Sequence, residues 1–173
     1  MPMPMKLVFK IFLICFVLSI ITCKKNDSKT AVSQIYCDGL ITDTAGTNGH
    51  YSVYVPNAFS PNGDGLNDLF KPVTYHISYW DLRIFDENYN LIFQSDSLHP
   101  FWDPNKNTII YKKYYYRIQT RANDGHKIGV CGEVYAMSCL PKGISRSNLT
   151  FEDQFDPFIG IVNPTLDTIP NCP

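Results

Sequence analysis

Between Tyr114 and Ala122 the chain reads "YYYRIQTRA", with Tyr114, Tyr116 and Ile118 alternating against Tyr115, Arg117 and Gln119. Side chains alternate across a strand with period 2, so this pattern commits the segment to a half-buried β-strand. The same alternation recurs in "HYSVYV" from His50 and in "YWDLRIFD" from Tyr79. Short strand-like runs follow at "LIFQ" from Leu91 and at "KIGVCGEVYAMS" from Lys127, and an earlier one, "IYCDGLI", begins at Ile35. No segment carries a convincing 3.6-residue period. Short alternating runs separated by turn residues point to an all-β fold, an immunoglobulin-like antiparallel β-sandwich. The aromatic content of 14% suits strands, and 45% hydrophobic against 18% charged residues is enough to pack a core.

Both ends depart from this pattern. Lys6 and Lys10 precede the apolar run "IFLICFVLSIIT", Ile11 to Thr22. Spanning a bilayer takes about 20 apolar residues, so the run reads as a secretory signal over 1–22. Cys23 follows at once and resembles the acylated cysteine of a bacterial lipobox; ordinary signal cleavage nearby is the plainer alternative. Losing Lys6 and Lys10 leaves 13 basic against 16 acidic residues, a net charge of −3. Anchoring would then rest on the acyl chains rather than on attraction to anionic lipid. Residues 23–33 read as a polar tether, 34–140 as the β-domain, and 141–173 as an irregular Pro-rich, acidic tail draped on it.

The stretch "VPNAFSPNGDGLNDLF", Val55 to Phe70, places three Asn, two Asp, two Gly and two Pro in sixteen residues. Proline fixes φ, glycine permits positive φ, and Asn62, Asp64, Asn67 and Asp68 can bond nearby backbone. That suffices for a turn without a ligand. A calcium loop needs oxygens at every second residue and a turn glycine; Ser60, Asn62, Asp64 and Gly65 meet that spacing. The first-position Asp and the distal Glu are missing, which leaves Asn62, Asp64 and Asp68 as weak calcium candidates. A phosphate loop would need Lys and Ser/Thr after the glycines. The expectation is a structural loop, with no metal and no cofactor.

The same residues resemble a family signature. Pro56, Asn57, Phe59, Pro61, Asn62, Gly63, Asp64, Gly65, Asn67 and Asp68 look like the signature of the gliding motility-associated C-terminal domain of Bacteroidetes envelope proteins. "LRIFDENYNLIFQS" from Leu82, "WD" at Trp102, "YYYRI" from Tyr114 and "DGHKIGVCGEV" from Asp124 are similar to later parts of that family. The resemblance covers about Tyr51 to Leu140. Glu87, Asn88 and Tyr89 stand where the family has Arg-Trp-Gly, and Pro104 stands where it has Gly after Trp-Asp. The resemblance implies a sandwich domain linked to type IX secretion, here within a lipoprotein.

Six cysteines are present. Removing Cys15 with the signal and Cys23 to lipid leaves Cys37, Cys131, Cys139 and Cys172, an even set that suits two disulfides in an oxidising compartment. Cys131 and Cys139 on one strand would lie some 26 Å apart at about 3.3 Å per residue, too far to bond. The expected pairs are Cys37–Cys131, because first and last strands of such sandwiches are commonly neighbours, and Cys139–Cys172, which ties the tail down. A crossed pairing remains open.

Catalytic signals are weak. His50, His76, His99 and His126 lie on separate segments, and the sequence holds neither G-x-S-x-G nor H-E-x-x-H. Trp80, Trp102 and the tyrosines could form a sugar platform, though core packing is the commoner use. "DTA" at Asp43, "DSL" at Asp96 and "DTI" at Asp167 resemble an O-glycosylation pattern. With no basic surplus, nucleic acid is not an expected partner. The leading expectation is a non-enzymatic, lipid-anchored outer-membrane module on the periplasmic or surface face, with protein partners in the envelope. The alternative is a carbohydrate- or calcium-dependent adhesion module with a glycan partner.

Overall fold

The computed structural model describes residues 36–43, 51–104, 111–162 and 167–173. The expected signal, the tether and Cys23 lie outside the described residues, as does His50. Seven strands follow in order: β1 (Ser52–Tyr54), β2 (Ala58–Phe59), β3 (Val73–Tyr75), β4 (Ile77–Phe85), β5 (Leu91–Ser95), β6 (Tyr111–Ala122) and β7 (Lys127–Met137). Two 3-10 turns, Arg146–Asn148 and Glu152–Gln154, then lead into a hairpin of β8 (Phe155–Asp156) and β9 (Gly160–Ile161). The fold is an all-β sandwich. Its main sheet has the order β2-β7-β6-β4-β5, and β1 and β3 form a separate ribbon. The pairs are antiparallel except β2–β7, which is parallel.

Alternation in β6 sorts the two faces of the main sheet. Tyr114, Tyr116 and Ile118 point into a core with Phe59, Phe70, Trp80, Leu82, Ile84, Trp102, Val134 and Ala136, against which Val53 and Val55 of the β1 region pack. Gly132 lies opposite Tyr116. A Cβ there would fall 2.7–3.1 Å from three atoms of the tyrosine ring, so a side chain has no room. Residues Lys113, Tyr115 and Arg117 face the other way, beside Tyr135, Glu133 and Cys131 of β7.

Two segments cover this second face. Residues 36–43 run along it: Gln119 bonds both the amide and the carbonyl of Ile41, and Asp43 bonds Lys127 through backbone and carboxylate. The approach is close enough that a Cβ on Gly129 would lie 2.9 Å from Leu40 Cβ. Cys37 is bonded to Cys131, with Cα atoms 5.6 Å apart. The run holding Cys37 is a turn over 36–39 rather than the expected first strand. Gly39 at φ 73° bends the chain, and Leu40 N–H donates to the Cys37 carbonyl.

The tail covers the other end of that face. Ala58 and Met137 form a second cluster with Leu149 and Phe151, joined by Tyr135, Leu140 and Ile169. Burying Leu149 and Phe151 contributes roughly 1.5–3 kcal/mol each. The expected draped tail is therefore part of the core. β7 ends at Met137, so Cys139 lies beyond the strand that was expected to hold both Cys131 and Cys139. There the chain leaves the sheet: Leu140 N–H donates to Pro170, and Cys172 N–H donates back to Leu140. Cys139 is bonded to Cys172 across a separation of 33 residues. Ser33–Pro173 forms one compact unit. With its own cores and both disulfides, such a unit folds on its own.

Candidate functional site

The turn-rich loop leaves the sheet at β2. Pro56, Phe59 and Pro61 are buried at its base, and Asn62, Gly63, Asp64 and Gly65 form its exposed crest. Gly63 and Gly65 sit at φ 83° and 92°, the left-handed region where a Cβ is strained. Inside the crest, Asp68 accepts the amides of Gly63 at 2.5 Å and Gly65 at 2.9 Å. Asn62 Oδ1 accepts Asp64 N–H, and Asp64 Oδ1 accepts Leu66 N–H at 2.8 Å. Each of these oxygens is aimed at an amide of its own loop. Charge-assisted bonds of this kind hold a turn rigid. No group of three or more His, Cys, Asp or Glu suited to a metal ion occurs among the described residues.

The base of the loop is bonded to the tail. Asn57 N–H and Ala58 N–H both donate to the Thr150 carbonyl, at 3.0 and 3.1 Å. The Asn57 side chain donates to the Asn148 carbonyl and accepts from Thr150 N–H. The free edge of β2 is thereby closed by backbone, which removes the pairing hazard of an open edge. Ser60 and Asn67 donate to the Asp167 carboxylate, Asn67 Oδ1 accepts Asp153 N–H, and Arg146 donates to the Asp167 carbonyl. Asn67, at φ 49°, turns its side chain toward the tail rather than toward its own backbone.

Asp167 is the residue the sequence reading missed. It is 1% exposed and accepts hydrogen bonds from Ser60 and from the signature residue Asn67, whereas its tripeptide suggested only a glycosylation pattern. A lone carboxylate in a Pro-rich apolar stretch carries no period that would reveal its burial. Lys71, at the far side of the loop, pairs with Glu152 at 2.5 Å. Beside them Leu98, His99, Pro100, Asp153 and Phe155 help line an open cavity of about 280 Å³.

The aromatic residues divide. Trp80 and Trp102 are core, at 0% and 6% exposure, so neither offers a sugar platform. On the second face of the sheet, Tyr36, Tyr89 and Tyr115 stack around one another, and Tyr111 stacks on Tyr135 with ring centres 5.6 Å apart. The hydrogen bond to Tyr115, then burial, pushes the Tyr89 hydroxyl up to about 12. Burial, then the bond to Glu133, does the same for Tyr135. These hydroxyls are neutral near pH 7 and are not activated nucleophiles. His76, His99 and His126 stay on separate segments; His126 Nδ1 lies 3.0 Å from Asp124, and His76 stacks on Tyr75.

Residues 53–132 match the family model of the CHU_C type IX secretion signal domain. This segment is similar to type IX secretion signal domains. No curated protein and no solved structure matches the chain. The match begins in β1, takes in the whole turn-rich loop and ends within β7. It covers just under half of the chain and associates the protein with type IX secretion and gliding motility, and hence with secretion or the cell envelope. The tail residues that bind the signature loop, Asn148, Thr150, Asp153 and Asp167, all lie outside the matched segment.

Proposed function

We propose that the protein is a non-enzymatic, lipid-anchored module of the outer membrane that binds other envelope components of type IX secretion or gliding motility. The observation that carries this reading is the match of a type IX secretion signal domain over residues 53–132. The anchor rests on Cys23, which stands directly after a positively charged and then apolar leader. The loop geometry supports a structural role for the signature: its carboxylates hold their own turn and its amide side chains hold the tail. The fold supplies a rigid body with two disulfides, suited to an oxidising compartment. Crosslinking and pull-down from native membranes tests the role, and labelled palmitate tests the anchor. Recovery of type IX secretion components, with label lost in Cys23→Ala, is the expected result. Recovery of no envelope protein, or unchanged labelling of the variant, refutes the corresponding half.

A further inference from the structure

The β8–β9 hairpin ends in Pro157-Phe158-Ile159-Gly160-Ile161-Val162, six residues without a charge. Phe158, Ile159 and Ile161 are 68%, 75% and 66% exposed. Large apolar side chains crowded on one protrusion mark an interaction site. The turn beneath them is built firmly. Asp156 Oδ1 accepts the amides of Phe158 at 2.8 Å and Ile159 at 3.1 Å, and Gly160 takes φ 88°. Ser52 donates to the Pro157 carbonyl, Phe155 stacks on Tyr54, and Phe158 lies 4.3 Å from the Tyr75 ring. The apolar groups are held outward by bonded backbone.

We propose that this tip inserts into the lipid bilayer beside which the chain is tethered, and so orients the domain on the membrane. The proposal rests on the reading of Cys23 as the lipid anchor. Three observations select a bilayer as the occupant. Phe158, Ile159 and Ile161 expose most of their apolar surface at one hairpin, where fluid acyl chains can cover it. The run from Pro157 to Val162 carries no charge, which suits burial to the depth of about 5–10 Å typical of interfacial segments. The 13 residues from Cys23 to Tyr36 span at most about 45 Å, slightly more than the roughly 40 Å of the 12-residue β6. The tether therefore lets any end of the domain face the membrane, and the tip decides which one does. With a net charge of −3 after the leader, attraction to anionic lipid contributes nothing, and insertion is apolar.

The test uses the self-folding unit, residues 33–173, which lacks the acyl chain and so isolates the tip from the anchor. Phe158→Trp is mixed with phosphatidylethanolamine–phosphatidylglycerol vesicles. Its emission shifts to the blue, acyl-chain bromination quenches it, and the protein co-sediments with the vesicles. Ile159→Asp with Ile161→Asp lowers the bound fraction at least roughly tenfold, since carboxylates are excluded from hydrocarbon. Leu98→Asp, at an exposed leucine elsewhere, leaves binding unchanged, and so does salt raised from about 0.05 to about 0.5 M. An unshifted spectrum without co-sedimentation overturns the proposal in favour of a protein-docking surface. Binding abolished by salt, or equally by Leu98→Asp, also overturns it. Absence of palmitate on Cys23 with vesicle binding intact removes the anchor and leaves the tip.

Discussion

In the loop after β2, Asp68 takes the amides of Gly63 and Gly65; in the β8–β9 hairpin, Asp156 takes those of Phe158 and Ile159. Both turns use a carboxylate as a backbone acceptor and a glycine at positive φ. They differ in where the remaining side chains go. The loop turns Asn57, Ser60 and Asn67 onto the tail and buries Pro56, Phe59 and Pro61. The hairpin leaves its apolar groups in solvent. Shared turn chemistry thus fixes a backbone shape without fixing a role, and the surroundings decide whether the turn seals a core or presents a surface.

The comparison breaks most completely at the tail. Phe151→Ala removes a ring that is 1% exposed from the cluster under the loop, and costs about 3–5 kcal/mol. Urea denaturation measures it; a loss below about 1 kcal/mol would mean that the tail only rests on the surface. Next comes the crest of the loop. Gly65→Val forces a β-branched residue to φ 92° and costs about 1–3 kcal/mol. Millimolar calcium leaves the melting temperature of the wild type unchanged. A rise of several degrees that Asp64→Ala abolishes would instead make the loop a cation site.

The matching change in the hairpin is smaller. Asp156→Ala exposes two amides that water can reach, and costs about 1 kcal/mol. Hydrogen exchange then quickens at Phe158 and Ile159 but not at Gly63; unchanged exchange at Phe158 shows that Asp156 does not hold the turn. Phe158→Ser gives the smallest effect, within about 0.5 kcal/mol in solution, because the ring is mostly exposed already. A large loss there would show that Phe158 supports Tyr75 rather than a partner outside the fold.

Period-2 alternation was enough to locate β4 and β6, because each lies in the middle of the sheet with one face against a packed core. The signature was legible for the same local reason: Gly63, Gly65 and Asp68 act within a few residues of one another. The expected strand at Cys37 failed because its apolar run was too short to outweigh Gly39, which takes a positive φ. The tail was read as irregular, correctly in its local conformation and incompletely in its burial. Leu149 and Phe151 are single buried residues in extended chain, with no repeat to announce them.

The central strands, the turn-rich loop and its likeness to a type IX secretion signal were legible in the order of residues, since each depends on neighbours in the chain. Contacts between distant parts of the chain set the rest: Thr150 closes the edge of β2, Asp167 is buried beneath the loop, and Phe158 and Ile159 stand in solvent while Phe151 does not. Those outcomes depend on which surfaces meet across separations of 93 and 100 residues, as in Asn57 with Thr150 and Asn67 with Asp167. Local propensity reaches only a few residues, whereas burial is settled by whatever the rest of the chain brings to the same place.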